Sequence, residues 1–314
     1  MKYLTLFVLF YLSFSPFLFS QQSEKPYKTK YAYVLVIDGP RYSETYGDSS
    51  CKLSPILCDS LRYEGAFFEN FMNNGPTYTV PGHTAIVTGA YQRISNSGTA
   101  LPRNPSIFQY FLDSKKLNQN DAYVVASKGK LDVLVNTKNK NWHNKFLAST
   151  YCGPNGSGIG YGSDKGTFEK VTQLVSSQNP PQLMLINLLA VDVYGHANNW
   201  KKYQESITVC DAYASTLWKM IQSNPVLKNN TTLFITNDHG RHLDGIKTGF
   251  ISHGDKCEGC KHISLLVLGP DTPKGITVNK ERELIDISKS ISELLNFSMP
   301  TSKGSFLKEA FIKN

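Results

Sequence analysis

Long apolar runs are scarce in this sequence of 314 residues. Beyond the first twenty residues, no stretch reaches the roughly 18 apolar residues that a membrane-spanning helix needs, so we predict no membrane span there. The first twenty residues carry one charge, Lys2, followed by a run dominated by Leu, Phe and Val, and polar residues follow from Gln21. This layout predicts a cleaved signal peptide over residues 1–20, with an uncleaved anchor as the alternative. We therefore expect an exported protein, periplasmic or secreted.

A concentrated basic stripe with interleaved aromatic residues is also missing, although the formal net charge is +8. The lysines are scattered along the chain, which indicates a solvated basic surface rather than a site for duplex nucleic acid. A mild attraction for small anionic substrates is the functional alternative. Internal repeats and low-complexity tracts are absent as well. We predict one large domain over residues 21–314, and nothing in the sequence identifies a protein partner.

Cysteine is limited to six residues, an even number that predicts disulfides in an exported chain. Close spacing favours the pairs Cys51–Cys58 and Cys257–Cys260, which leaves Cys152 and Cys210 as the third pair. The stretch Cys257-Glu-Gly-Cys260 could instead be a redox or metal site. No second CxxC supplies the remaining two ligands, so a disulfide that closes a loop is the favoured interpretation.

Apolar patterning predicts the fold class. Five continuous apolar runs predict buried strands: Tyr33–Ile37, Ala122–Ala126, Gln182–Ala190, Thr231–Thr236 and Ile263–Leu268. Three segments with apolar residues at helical spacing predict helices: Ser54–Glu64, Lys202–Ile221 and Leu284–Leu295. We therefore predict an α/β fold with a doubly wound, mostly parallel sheet covered on both faces. Residues 91–166 are rich in Asn, Gly, Ser and Lys, which predicts a peripheral insertion or small cap.

Carboxylates and imidazoles follow several of these strands or lie shortly beyond them. They are Asp38, Asp192, His196, Asp238, His239 and His253. Ligands of an α/β sheet gather at the carboxyl ends of its strands, so we expect these side chains to meet there. Mixed oxygen and nitrogen ligands favour Zn²⁺, with Mn²⁺ or Fe as alternatives. The sequence thus predicts a site for two divalent cations.

Thr79 supplies a candidate nucleophile within the segment Gly75–Gly89, which reads GPTYTVPGHTAIVTG. A bound dication lowers the pKa of a hydroxyl and directs its oxygen, so a threonine beside such a site can attack an ester. The ordered motifs from Asp38 to about Gly269 resemble those of the alkaline phosphatase superfamily. The resemblance is strongest to its nucleotide pyrophosphatase/phosphodiesterase-like and phosphate-irrepressible phosphatase-like branches.

The stretch PTYTVPGH around Thr79 is similar to the diesterase pattern PTKTFPNH. It departs from that pattern at three positions, Tyr78, Val80 and Gly82. Sulfatases share the architecture, but they carry a convertible Cys or Ser and an Arg in a C/S-x-P-x-R pattern. This chain has TVPGH at that place, so the resemblance does not favour sulfate esters.

The resemblance implies two metal sites and a phosphothreonine intermediate at Thr79. In the superfamily, one metal is held by the counterparts of Asp192, His196 and His253. The other is held by the counterparts of Asp38, Asp238 and His239, with the Thr79 hydroxyl. The implied activity is that of a phosphodiesterase or nucleotide pyrophosphatase on a small phosphate ester or nucleotide. A phosphomonoesterase is the alternative, and a transferase or non-catalytic relative is disfavoured.

Candidate substrate contacts lie further along the chain. The stretch Ser127-Lys-Gly-Lys130 is similar to an S-x-K-x-R segment that contacts the additional phosphoryl charge in phosphate-irrepressible monoesterases. Lys128 and Lys130 are therefore candidates, and two exposed lysines at a turn are the alternative. The related enzymes also use an Asn to hold a nonbridging oxygen. Its ungapped position here is Ala100, and the nearby candidates are Asn96 and Asn104.

Overall fold

A computed structural model of the chain describes residues 27–312, so the predicted signal peptide over residues 1–20 lies outside the described residues. Nine strands of that range form one sheet: β1 (Tyr31–Ile37), β2 (Ala66–Met72), β3 (Ala122–Ala126), β4 (Ser149–Cys152), β5 (Leu183–Leu188), β6 (Thr231–Thr236), β7 (His262–Leu268), β8 (Ile276–Val278) and β9 (Arg282–Glu283). The α-helices described are α1 (Pro55–Asp59), α2 (Thr79–Thr88), α3 (Ile107–Lys115), α4 (Asp164–Val175), α5 (Ala190–His196), α6 (Trp200–Ser223), α7 (Glu258–Lys261) and α8 (Asp286–Leu294).

The sheet is mostly parallel. Its strands lie in the order β4-β3-β5-β1-β6-β7-β2-β8, with β9 also paired to β2. Of the described strands, β7 alone runs antiparallel, to both β6 and β2. Helices α2, α3 and α8 pack on one face and helices α1, α4 and α6 on the other, each group over its own apolar core. The predicted α/β fold with a doubly wound, mostly parallel sheet is confirmed.

Continuous apolar strands explain why both faces are covered. Every residue of β5 and of β6 is buried, because alternate side chains of a strand face the two cores. Helix α6 is amphipathic and buries one side from Tyr203 to Ile221. The predicted helix Ser54–Glu64 is interrupted: α1 ends at Asp59, and a tighter turn over Leu61–Glu64 follows. Within residues 27–312, no helix has the length and apolar character needed to cross a membrane.

The segment 91–166 differs from the peripheral insertion that its composition predicted. Strands β4 and β3 form one end of the sheet, and β3 pairs directly with β5, for example Ala122 with Leu183. Helix α3 adds Phe108 and Phe111 to one core. The Asn, Gly and Lys residues belong mainly to the connections between these short elements. The apolar run Ala122–Ala126 predicted β3, but composition gave no indication of β4.

The cysteines confirm one predicted disulfide and exclude two. Cys51–Cys58 is present. The other predicted pairs, Cys152–Cys210 and Cys257–Cys260, are wrong because all four of these residues are free thiols. Cys152 lies in the core on one face of the sheet and Cys210 in the core on the other, so the sheet itself separates them.

Asp164, the first residue of α4, joins the ends of two strands. Its Oδ1 accepts hydrogen bonds from the Ser127 hydroxyl (2.7 Å) and the Leu189 N–H (2.7 Å), and its Oδ2 accepts one from the Ala190 N–H (3.0 Å). Ser127 follows β3, and Ala190 begins α5. This buried carboxylate therefore holds together the residue before Lys128 and the start of helix α5, both at the carboxyl edge of the sheet.

The substitution Asp164→Ala removes the side-chain acceptor of the Leu189 and Ala190 amides and one of the acceptors of the Ser127 hydroxyl. We expect the free energy of unfolding to fall by about 3 kcal/mol, since an unsatisfied buried donor costs about 1–3 kcal/mol. Chemical denaturation measures the change. Glu169→Ala, on the exposed side of the same helix, is the control and should stay within about 0.5 kcal/mol of the unsubstituted protein. Equal stability of the two variants would contradict the role of Asp164.

Candidate active site

Three carboxylates converge at the carboxyl edge of three neighbouring strands. Asp38 directly follows β1, Asp238 follows β6, and Asp192 lies in α5 after β5. All three are buried, and they meet because β5, β1 and β6 are adjacent in the sheet. Gly39 turns the chain after Asp38 with a φ of +70°, which a side chain rarely allows. An added Cβ there would also lie 3.1 Å from Asp192 Oδ1, so this turn requires glycine.

Asp192, His196 and His253 form a compact triangle of ligand atoms. His196 Nε2 lies 3.0 Å from His253 Nε2, and each lies 3.3 Å from Asp192 Oδ1. The four-residue separation of Asp192 and His196 brings both to the same side of α5. In a tetrahedral zinc site with bonds of about 2.0 Å, neighbouring ligand atoms are about 3.3 Å apart. The triangle has the size of three corners of such a site.

Asp38, Asp238 and His239 form a second, fully buried cluster. His239 Nε2 lies 3.6 Å from Asp38 Oδ1 and 3.4 Å from Asp238 Oδ2. Asp38 Oδ1, both carboxylate oxygens of Asp238 and His239 Nε2 have no hydrogen-bond partner among the described residues. Buried polar atoms without partners are rare and costly, and here they lie together. This donor set therefore fits a divalent cation.

Backbone carbonyl groups orient two of the imidazoles. His239 Nδ1 lies 2.9 Å from the carbonyl oxygen of Gly240, and His253 Nδ1 lies 2.8 Å from that of Thr77. An N–H donated from each Nδ1 leaves a lone pair on Nε2, which is the form that binds a metal. Burial lowers the pKa of His239 to about 3 and the pKa of His196 to about 4, so both imidazoles are neutral near pH 7.

Lys128 lies between the two clusters. Its Nζ is 2.9 Å from Asp38 Oδ2, 2.6 Å from Asp192 Oδ2 and 3.0 Å from Thr79 Oγ1. Burial acts to lower the pKa of Lys128, but Asp38 and Asp192 outweigh burial and raise the pKa above its ordinary value. Lys128 thus carries a buried positive charge beside the Thr79 hydroxyl, and it is not an exposed lysine at a turn.

Thr79 is the first residue of α2, where the N–H groups of the first turn have no partner within the helix. The side chain of Asn96 reaches this turn, and its Oδ1 accepts a hydrogen bond of 2.9 Å from the Val80 N–H. Lys130 Nζ donates to the same oxygen at 3.3 Å. The structure therefore places both Asn96 and Lys130 close to Thr79.

Buried polar residues outside the predicted set also contact the carboxylates, among them Asn187 and Arg241. Asn187, within β5, donates its side-chain amide to Asp38 Oδ2 at 3.0 Å. Arg241 is fully buried and donates to Asp192 Oδ1 and to the carbonyl oxygen of Ile251. The sequence offered one signal for Asn187, because it is a polar residue within the apolar run Gln182–Ala190. The position of Arg241 directly after the Asp238-His239-Gly240 motif favoured a salt bridge beside the ligands, although the sequence did not identify Asp192 as its partner.

Comparisons with known proteins agree with this architecture. The sequence matches the family described as Sulfatase over residues 37–297. Murine ectonucleotide pyrophosphatase/phosphodiesterase 5 superposes with a TM-score of 0.64 at 16% identity, covering 90% of this chain and 100% of that chain. An inactive threonine-to-alanine variant of that murine protein has been solved in complex with AMP. No curated protein sequence matches the chain.

Two bacterial structures share the fold. A protein of the alkaline phosphatase superfamily from Vibrio parahaemolyticus superposes with a TM-score of 0.63 at 14% identity, covering 96% of this chain and 76% of that chain. The phosphonate monoester hydrolase of Agrobacterium radiobacter gives 0.64 at 13% identity, with coverage of 89% and 76%. At these identities the structures show a common fold and do not decide the substrate. The family match spans most of the sequence, so the chain belongs to the Sulfatase family, and its fold is the one seen in the alkaline phosphatase superfamily structure from Vibrio parahaemolyticus.

Proposed function

We propose that the protein is an exported, metal-dependent hydrolase of phosphate esters in which Thr79 is the nucleophile. One observation carries this proposal: the Thr79 hydroxyl lies 3.0 Å from Lys128 Nζ, which also contacts Asp38 and Asp192. These two carboxylates belong to different ligand clusters, so the hydroxyl stands where the clusters meet. The apolar N-terminal run and the Cys51–Cys58 disulfide support export, because disulfides persist in oxidising compartments.

Two divalent cations, with zinc as the expected metal, complete the proposed site. One would be held by Asp192, His196 and His253. The other would be held by Asp38, Asp238 and His239, with the Thr79 hydroxyl. Bound there, the cations would lower the pKa of the hydroxyl and withdraw charge from the oxygens of the ester.

The chain's own residues account for the remaining chemistry. Attack of Thr79 Oγ1 on phosphorus forms a Thr–O–P bond and breaks the bond to the leaving oxygen; the hydroxyl proton passes to solvent, and the leaving oxygen takes up a proton from solvent. Water then attacks phosphorus, breaks the Thr–O–P bond and restores the hydroxyl. Lys128 stabilises negative charge on Thr79 Oγ1 through its hydrogen bond. Asn96 engages the Val80 N–H through Oδ1, which leaves its NH₂ group to donate to a phosphoryl oxygen.

The first candidate substrate class is a phosphodiester or nucleotide pyrophosphate. Its support is the similarity of the Thr79 segment to the diesterase pattern, together with the AMP bound by the murine structural relative. A phosphomonoester is the second candidate, because the Lys128 ammonium beside Thr79 suits the additional charged oxygen of a monoester. A threonine in place of the convertible Cys or Ser of sulfatases supports phosphate rather than sulfate.

The substitution Thr79→Ala should lower turnover by about a thousandfold or more, because it removes the attacking oxygen. Its metal content should equal that of the unsubstituted protein, since six other ligands remain. Thr84→Ala is the matched control: it lies in the same helix, and its buried hydroxyl has no hydrogen-bond partner. Steady-state hydrolysis and elemental analysis measure both effects. Substantial turnover by Thr79→Ala would exclude Thr79 as the nucleophile.

Three chromogenic esters separate the substrate classes: bis-p-nitrophenyl phosphate, p-nitrophenyl phosphate and p-nitrophenyl sulfate. We expect the diester to be hydrolysed fastest and the sulfate not to be hydrolysed. Chelator should abolish turnover, and added Zn²⁺ should restore it. The singly charged side chains of Lys128 and Arg241 cannot replace a divalent cation that withdraws charge from the ester. Faster hydrolysis of the monoester would favour the second candidate. Preferred hydrolysis of the sulfate, or full activity in chelator, would contradict the proposal.

The substitution Lys128→Gln tests whether this lysine contacts the third terminal oxygen of a monoester. If it does, kcat/KM for p-nitrophenyl phosphate falls about tenfold further than kcat/KM for the diester, since a hydrogen bond to a charged group contributes about 1.5–3 kcal/mol. Lys140→Gln, at an exposed position, is the control. An equal loss of kcat/KM for the two substrates would mean that Lys128 acts through Thr79 and the carboxylates and does not contact the substrate.

A further inference from the structure

Four potential metal ligands lie together outside the two clusters of the active site. They are His242, Asp255, Cys257 and Cys260, and one ligand atom of each lies within 4.8 Å of the others. His242 and Cys260 are buried, whereas Asp255 and Cys257 are partly buried. The sequence contains no second CxxC to complete a four-ligand set. The fold supplies the two missing ligands from the same loop between β6 and β7.

We propose that these four residues bind one structural Zn²⁺ ion, separate from the proposed active-site cations. Two sulfur ligands, one nitrogen and one oxygen match the four-coordinate tetrahedral sites of zinc, with Zn–S bonds of about 2.3 Å and Zn–N bonds of about 2.0 Å. Because the protein supplies all four ligands, no coordination position remains for substrate or water. The ion would therefore hold the loop together and take no part in the reaction.

The turn between the two cysteines is already ordered for this role. The Cys257 N–H donates to Asp255 Oδ1 at 2.9 Å, and the Cys260 N–H donates to the Cys257 carbonyl oxygen at 3.1 Å. Gly259 lets this turn approach the preceding arm of the loop closely. An added Cβ at that position would lie 2.4 Å from the Arg241 carbonyl oxygen.

His242 provides independent support for a ligand in the cluster. The residue is 2% exposed, and its Nε2 makes no hydrogen bond among the described residues. Its Nδ1 lies 3.1 Å from the Ser252 hydroxyl, and an N–H donated there leaves a lone pair on Nε2. That Nε2 is 3.2 Å from Asp255 Oδ2 without the geometry of a hydrogen bond. A cation bound beside these two atoms would give His242 Nε2 the partner that it lacks.

The local charge is compatible with such an ion. Two thiolates and one carboxylate around a dication leave a single negative charge. Lys247 supplies a positive charge there, since its Nζ lies 2.5 Å from Asp255 Oδ2. The charge of the complete cluster, including this ammonium group, is therefore balanced.

The site would fasten the loop that carries His253. The base of the loop is closed by a hydrogen bond from the Gly240 N–H to the Cys260 carbonyl oxygen, at 2.9 Å. The Thr77 hydroxyl donates to the Asp255 carbonyl oxygen at 2.6 Å, and Thr77 lies two residues before Thr79. An ion bound to Asp255 and the two cysteines would thus restrain both a proposed active-site ligand and the segment of the nucleophile.

The structure has Cys257 and Cys260 as free thiols, and their oxidation to a disulfide would consume both metal-binding thiolates. Cobalt distinguishes the two states, because Co²⁺ bound to thiolate gives a near-ultraviolet charge-transfer band that sites with only oxygen and nitrogen ligands lack. We expect this band in the full-length protein loaded with Co²⁺ and passed through gel filtration. The band should weaken in Cys257→Ser and disappear in the Cys257→Ser/Cys260→Ser double variant, which should also hold one metal ion fewer per chain.

Two controls separate this site from the proposed active site. Thr79→Ala should keep the band while it loses turnover, and Cys152→Ala, which removes a buried thiol elsewhere, should keep both band and turnover. Peptide mapping without reductant determines the state of the two thiols in the unsubstituted protein even if the double variant does not fold. A cross-linked Cys257–Cys260 peptide, or free thiols with no charge-transfer band, would overturn the proposal.

Discussion

Repulsion between buried carboxylates is the constraint on which the site depends. Asp38, Asp192 and Asp238 meet because an acidic residue follows each of three adjacent strands, and charges removed from water interact strongly. Burial and the neighbouring Asp238 raise the pKa of Asp38 to about 6. Lys128 and Arg241 compensate part of this charge, and the unpaired oxygens of Asp238 leave room for more positive charge. A cation bound at these oxygens would therefore also stabilise the folded chain.

Strand positions could be predicted from the sequence because burial on both faces produces continuous apolar runs. Strands β3 and β6 coincide with the predicted runs Ala122–Ala126 and Thr231–Thr236, and the acidic residues after β1 and β6 follow from the same pattern. Strand direction could not be predicted in this way. A buried antiparallel strand such as β7 is as apolar as its parallel neighbours, and its direction depends on the path of the preceding loop.

Long-range partners were the part of the site that sequence reasoning could not supply. Lys128 follows a strand like any turn lysine, yet it is 1% exposed. Ser163 and Asp164 have the character of a helix start, but the contacts of Asp164 with two strand ends depend on tertiary distance. Gly82 departs from the diesterase pattern, and here an added Cβ would lie 2.6 Å from the Asp238 carbonyl oxygen. Glycine at this position lets α2 pack directly on the edge of the sheet.

The antiparallel pairing of β6 and β7 means that the chain leaves and re-enters the sheet at the same edge. The connection between them carries Asp238, His239 and His253, and the Gly240–Cys260 hydrogen bond closes its base. Strand register is set outside this connection, so its outer part can change length or composition at small cost in stability. Changes confined to the outer part of this loop could therefore alter the entrance to the site while the ligands at its base and the sheet stay in place.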